Sequence, residues 1–343
     1  MNPRIRLPRK RTIFWGLLAA ALLWPIFSWA VLNAIWDADL EACRAARGVG
    51  ACWGVIVEKH RLLIFGRYPF DEQWRPLLAT LLIICVLGLA TWRRLWQPRL
   101  APVALTALLA ATLLMLGGFA GLSFVPTKLW GGLPLTLLIS LGSTLLAFPF
   151  AILLALGRRS SLPLLRSVCT LYIELVRGVP LISLLFMAAF LFPLLLPAQL
   201  RIDILPRVVF TIAAFAAAYL AEVIRSGLQA VPAGQLTAAQ AIGMNYWQTT
   251  AYVVLPQALR FALPALVNSF VGIFKDSSLI SIVSLHELTG ALALSLGGDA
   301  EWRSFYLEGY LFIALIYWLF CFLLSQASKK LESGFKQSRP ERT

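Results

Sequence analysis

Acidic residues are scarce in this chain. It carries 16 Asp and Glu against 30 Lys and Arg, and charged residues make up only 13% of its 343 positions. Soluble domains average about 25% charged and about 45–50% apolar, whereas this chain is 59% hydrophobic. Histidine is nearly absent, with only His60 and His286. The five cysteines form neither a CxxC pair nor a Cys/His cluster, which excludes a metal site of the familiar zinc spacings. No G-x-x-x-x-G-K-[ST] stretch occurs, so no loop of that kind cradles phosphates. Nor is there a polar block of about 100 residues able to fold as a soluble catalytic domain. No nucleophile–base set supports a membrane enzyme.

What is present is a series of apolar, charge-free runs: 12–36, 76–92, 100–127, 129–157, 178–200, 208–221, 261–274 and 309–328. A membrane helix needs about 20 such residues. Five runs reach that length, 76–92 is shorter, and 208–221 and 261–274 span only if Glu222, Arg225, Lys275 or Asp276 enter the interface or the bundle. The first run is too long for the apolar part of a signal peptide, about 7–15 residues, and is expected to be retained. The net charge of +14 does not form one patch. The basic residues punctuate the apolar runs, which argues against a nucleic-acid partner and for membrane topology.

Arg4, Arg6, Arg9, Lys10 and Arg11 precede the first run. Arg93, Arg94 and Arg99 lie between the second and third, Arg158, Arg159 and Arg166 after the fourth, and Lys329 and Lys330 after the last. With eight crossings all of these fall on one side, which the positive-inside rule makes cytoplasmic. Both termini are then cytoplasmic, loop 37–75 is outside, and 229–256 is inside. Cys43 and Cys52 flank "RAARGVGA" in the outer loop. An oxidising compartment would allow them to bridge; two unlinked thiols is the other reading.

The inner segment, "QAVPAGQLTAAQAIGMNYWQTTAYVVLP", is long and uncharged. Pro232 suits the first turn of a helix and Gly243 its end. Ala238 and Ala239 are expected on the packing side of that helix. Tyr246 and Trp247 would anchor the following stretch at the interface, and Pro256 and Pro264 would act as stops bracketing re-entry.

The spacing Ala238-Ala239, Gly243, Val253 and Leu255-Pro256 resembles the cytoplasmic signature of importer-type ATP-binding cassette permeases. Thr237 stands where that family usually has Glu. "YIELVRGVPLISLLF" (172–186), "AYLAEVIRSGLQAVPAGQ" (218–235) and "FVGIFKDSSLISIVSLHEL" (270–288) resemble segments of polar-amino-acid permeases in the same order. "ACWGVIVEKHRLLIFGRYPFDEQWRP" (51–76) is similar to the extra N-terminal region of general L-amino-acid permease subunits.

The resemblance implies an all-α integral membrane protein of about eight transmembrane helices, located in a bacterial inner membrane. A five-helix type I permease core at 129–330 would be preceded by three extra helices at 1–128 and followed by a cytoplasmic tail at 331–343. It further implies a second permease subunit, a paralogue of this one. Separate ATPase subunits would bind ATP and Mg, leaving no cofactor in this chain. A periplasmic amino-acid-binding protein would deliver substrate, and membrane lipid would surround the helices. Thr237, Ala238, Ala239, Gly243, Leu255 and Pro256 would form the ATPase-coupling loop.

The polar residues within apolar sequence stay open between roles. Glu174 with Arg177, and Glu222 with Arg225, are three apart and suit interfacial ion pairs on one helix face, or a gate. Asn268, Lys275 and Asp276 suit a pathway lining or contacts between helices. A secondary amino-acid carrier driven by an ion gradient is the competing function, motivated by Glu222, Lys275 and Asp276.

Overall fold

The computed structural model describes residues 9–90, 100–195, 197 and 202–336. Arg4, Arg6, the Arg93–Arg94–Arg99 group, the side chains of Arg9, Lys10, Arg11 and Lys330, and the tail from 337 lie outside what is described. The described chain is mostly helical and contains no strand. In order the helices are α1 (Arg9–Phe27), α2 (Leu40–Ala45), α3 (Gly54–Phe65), α4 (Trp74–Ala90), α5 (Leu100–Leu116), α6 (Gly132–Arg158), α7 (Pro163–Arg177), α8 (Leu181–Phe186), α9 (Phe192–Leu195), α10 (Ile204–Gln229), α11 (Ala233–Ala241), α12 (Tyr246–Gln248), α13 (Leu255–Asp276), α14 (Leu288–Gly297) and α15 (Tyr306–Lys336).

Five stretches are long and apolar enough to cross a membrane: Phe70–Leu89, Gly132–Arg158, Ile204–Gln229, Tyr246–Val283 and Arg303–Lys329. The pair Pro163–Arg177 and Leu181–Leu195, bent by 99°, makes six if counted as one crossing. Both short sequence runs extend into longer helices. Run 208–221 lies within the 26 residues of α10, and 261–274 within the 38 residues of Tyr246–Val283. Runs 12–36 and 100–127 instead give the shorter apolar helices Leu17–Leu32 and Ala101–Leu116. The second of these ends where Gly117 and Gly118 turn to φ +64° and +82°, a conformation that glycine adopts freely and that stops a helix.

The chain divides into two compact units. One comprises residues up to Arg61 together with Leu292–Ala314, and the other the remainder.

In the larger unit, α6 packs against α10. Ala147, Ala151 and Ala155 recur every fourth residue on α6, and Ala213, Ala217 and Ala221 do the same on α10. All six are buried. Spacing of four puts each set on one stripe, and small residues let helix backbones approach closely, which drives association where no hydrophobic effect operates between helices. Gly227 extends the contact: a Cβ there would lie 2.3 Å from the carbonyl oxygen of Ala258 on α13.

The entry to α6 is a backbone crossing. Gly66 and Gly131 abut, and Gly132 adopts φ +64° with its N–H donated to the His286 carbonyl at 2.9 Å. A Cβ on Gly132 would sit 2.0 Å from the Ile64 oxygen. Gly132→Ala is therefore expected to cost at least about 1–3 kcal/mol from backbone strain alone, read as a lower thermal midpoint of the detergent-solubilised protein. An unchanged midpoint would remove the crossing from the account.

In the smaller unit, Cys43 and Cys52 are joined by a disulfide. Lys59 Nζ donates to Asp299 Oδ2 at 2.8 Å, and this hydrogen bond holds the Asp299 carboxyl below the usual aspartate range.

Candidate functional site

The segment 229–256 folds as a short helix, α11, on a pinned base. Pro232 sits at its N-cap with φ −59° and ψ 135°. At its other end Gly243 takes φ +83°. The Gly243 N–H donates to the Gln240 carbonyl at 3.0 Å and the Met244 N–H to the Ala239 carbonyl at 3.1 Å. These two bonds form a Schellman motif, which satisfies carbonyls that the helix end would otherwise leave open. Asn245 and Gln248 then exchange capping hydrogen bonds around α12. Gln257 Nε2 donates to the Val253 carbonyl at 2.8 Å. The element is stiff by construction.

Ala238 and Ala239 do not share a face. Ala239 is buried at 4% exposure against the chain itself, whereas Ala238 is exposed. Neighbouring helical residues point about 100° apart, so only one of an adjacent pair faces any one surface. The outward apolar pair is Ala238 and Ile242, four apart on one side, with Ile242 at 78% exposure; Leu236 is exposed on another side of the helix. Tyr246, Trp247 and Tyr252 are exposed beyond it, and the first two pack edge to face.

Thr237 is exposed and spends its hydroxyl within the helix, donating to the Ala233 and Gly234 carbonyls. Gly243 has open space around it, so its requirement is conformational rather than steric.

Pro256 and Pro264 do not stop the chain. A π-helical stretch, Thr249–Val254, runs straight into α13, which starts at Leu255 and continues through Pro264. Pro256 follows the π stretch directly, and that local change of register accommodates its missing N–H. Neighbouring helices and local π geometry make an interior proline tolerable in a membrane helix.

A charged cluster joins three helices of the same unit. Glu222 and Arg225 pair on α10. Arg158, at the end of α6, donates to Glu222 at 3.0 Å and to Glu174 of α7 at 2.8 Å. Glu174 thus pairs with Arg158 and not with Arg177. Arg177 ends α7 and lies over the Tyr219 ring at 5.4 Å. A partner brought by tertiary packing displaces the local one, because the α6 terminus arrives with a free guanidinium fork.

Asp276 is half-buried and lines a cavity of about 350 Å³ with Tyr219, Ser269 and Gly272. Lys275 and Asn268 are exposed.

The sequence singles out none of three buried charged residues, Arg75, Glu287 and Glu308. Glu287 is fully buried. It accepts from the Thr289 and Gly290 N–H groups at 2.9 Å, from Tyr317 Oη at 2.8 Å and from Thr136 Oγ1 at 3.4 Å. Burial pushes its carboxyl above the usual range. Its carboxyl accepts from the first free N–H groups of α14, yet Glu is not a residue favoured at an N-cap, so no local signal points to it. Arg75 is also fully buried, and Glu308 is buried.

Residues 147–337 match the model of the family described as "Binding-protein-dependent transport system inner membrane component". The chain belongs to this family. It is 41% identical over 330 residues to the inner membrane amino-acid ABC transporter permease protein YhdY of Escherichia coli (strain K12), covering 95% of this chain and 88% of the relative. It is 35% identical to the glutamate/glutamine/aspartate/asparagine transport system permease protein BztC of Rhodobacter capsulatus, covering 95% of this chain and 90% of that protein. Among solved structures, one described as an amino acid ABC transporter with histidines is 30% identical, with a TM-score of 0.51 over 59% of this chain and 91% of that one. The chain is thus a membrane-spanning permease of the type I fold.

Proposed function

We propose that the chain is the permease subunit of an ATP-driven amino-acid importer, and that α11 is the element through which ATP hydrolysis moves it. The supporting observation is the form of α11: a helix closed by a Schellman motif, turning Ala238 and Ile242 outward with no covering partner among the described residues. An exposed apolar set of this kind on a stiff element suits a protein groove. The amino-acid permeases among its relatives support the substrate class.

In this reading a core at 129–330 pairs with a second permease, a paralogue, and residues 1–128 add a membrane region before it. Eight crossings place both termini, the tail 331–343 and loop 229–256 in the cytoplasm. The Cys43–Cys52 disulfide supports an oxidising, outer location for loop 37–75. Separate ATPase subunits bind ATP and Mg, a periplasmic binding protein delivers the amino acid, and lipid surrounds the bundle. Asn268, Lys275 and Asp276 line or flank the pathway. The Arg158–Glu174–Glu222–Arg225 cluster, with Arg177 beside it, fixes its inner end.

The test is uptake into vesicles holding the complete complex. Uptake should require ATP and the ATPase subunits and persist when an ionophore collapses ion gradients. Uptake that ran without ATP would refute the proposal. Thr237→Glu is expected to leave ATPase copurification and uptake within about twofold, since a helix-surface hydroxyl that bonds only its own backbone contributes little. Loss of assembly would show instead that an uncharged residue is needed at the contact.

A further inference from the structure

The family model begins at residue 147 and so includes the turn between α14 and α15, but not residues 37–61. In the smaller unit these two pieces of sequence are fastened together. Lys59 reaches Asp299 Oδ2 at 2.8 Å. The Cys52 backbone N–H donates to Glu308 Oε1 at 3.1 Å, with Cys52 and Glu308 both buried. Arg44 lies 3.9 Å from Glu301 at the exposed rim.

Each side of this contact is internally stiff. Asp299 Oδ1 accepts from the Glu301 and Trp302 N–H groups and so shapes the turn it belongs to. Trp302 and Phe305 are buried beside it. A Cβ on Gly309 would lie 2.5 Å from Leu292, so α14 and α15 meet closely. On the other side the disulfide ties α2 to Cys52. The Ala51 N–H bonds the Trp29 carbonyl and the Ile35 N–H bonds Ala51. A Cβ on Gly50 or Gly54 would fall within 2.0 Å of the backbone oxygen of Asn33 or Asp37.

We propose that residues 37–61 act as a clamp on the α14–α15 turn and the start of α15, residues 298–308, and that the disulfide sets the clamp by fixing Cys52 opposite Glu308. The family-standard part of the chain supplies the turn that would open during transport, and the additional part restrains it. A buried carboxylate accepting a backbone N–H is a directional contact. It fails if Cys52 drifts, and a short disulfide loop prevents that drift. The role in transport rests on the proposed function; the restraint itself does not.

Hydrogen exchange on the assembled complex tests it, with native protein beside Cys43→Ser/Cys52→Ser and Lys59→Met. In the serine variant amides of 298–308 are expected to exchange about tenfold faster or more. In Lys59→Met the increase should be confined to 298–302. Amides of α6 and α10 should keep their native rates in both. Native exchange at 298–308 in the serine variant would overturn the clamp. So would a uniform rise that includes α6 and α10, because the disulfide would then be a general stabiliser. ATP-driven uptake measured on the same samples separates the two readings: native protein that did not import would refute the proposed function and leave the exchange result standing.

Discussion

Ile242→Asp is expected to abolish ATP-driven uptake and to release the ATPase from the purified complex, while the chain itself inserts and melts as the native protein does. Ile242 is at the C-cap of α11 with 78% of its surface open, so its replacement removes no packing within the chain. A residue that costs nothing at home and much in the complex marks a binding hot spot. Seating a carboxylate in an apolar groove without a partner costs several kcal/mol. A loss of about 3 kcal/mol is already more than a hundredfold in affinity. The measurement is the ATPase retained on the tagged permease, together with uptake in vesicles. Normal retention and uptake would mean that the outward face of α11 is not the contact. Gly243 makes a useful contrast. Its φ of +83° strains any side chain although nothing lies within 4 Å. Substitution there should therefore loosen the helix end as well as the contact, whereas Ile242 isolates the contact.

Arg75→Met is expected to produce the largest loss of stability of any single change considered. The guanidinium is fully buried. It donates to the Leu114 carbonyl at 2.7 Å, the Ser123 carbonyl at 3.0 Å, the Met115 carbonyl at 3.2 Å and Glu72 Oε2 at 2.6 Å. The Tyr68 ring lies 5.7 Å away, and its hydroxyl bonds the same Met115 carbonyl at 2.7 Å. Leu114 and Met115 belong to the last turn of α5, whose carbonyls have no partner within the helix. One side chain thus caps α5, holds the returning chain at Ser123 and neutralises Glu72. Methionine preserves much of the volume and none of the donors. Removing the guanidinium leaves buried carbonyls of Leu114 and Met115 without their donor, at about 1–3 kcal/mol each, while the pair with the partly exposed Glu72 contributes less. The thermal midpoint in detergent and the yield of inserted protein should both fall sharply. A native midpoint would mean that water reaches these groups and that Arg75 is not needed as a cap.

Glu72 illustrates the boundary between what the sequence discloses and what it does not. Its pairing with Arg75, three residues on, is of a kind that spacing can suggest, as it does for Glu222 and Arg225. The carbonyls of α5 that share the guanidinium come from about forty residues away, and no local pattern announces them. The same limit applies to Glu174. Arg177 is its neighbour by helical spacing, but Arg158 arrives from another helix and takes the carboxylate.

Punctuation fared differently. Pro232 and Gly243 act through their own backbone torsions, so the ends of α11 are written in those two residues. Pro264 carries an equally strong local signal, yet α13 continues through it, because a helix embedded among others can satisfy the groups that proline frees. The adjacent alanines show a third case: composition discloses a small-residue helix, while only packing decides that Ala239 turns inward and Ala238 outward. Apolar length discloses the spans unevenly: runs 129–157 and 309–328 become long helices, but the long runs 12–36 and 100–127 give short ones, and the short runs 208–221 and 261–274 lie within long ones. It counts α7 and α8 poorly, since the 99° bend between them arises at the Gly178–Pro180 link and not from hydropathy.

The π-helical stretch Thr249–Val254 is a register insertion. A π turn accommodates one residue more than the α-helix around it, so α13 begins one residue out of phase with a continuous helix traced back from it to α12. Deleting a single residue here would let the stretch relax to α geometry. The segments on either side would keep roughly their present relative orientation, because the π turn already absorbs the extra residue. This stretch should therefore tolerate the loss of one residue far better than the α-helix of α13 does, where each residue added or removed would turn the preceding chain, Ile242 included, by about 100°.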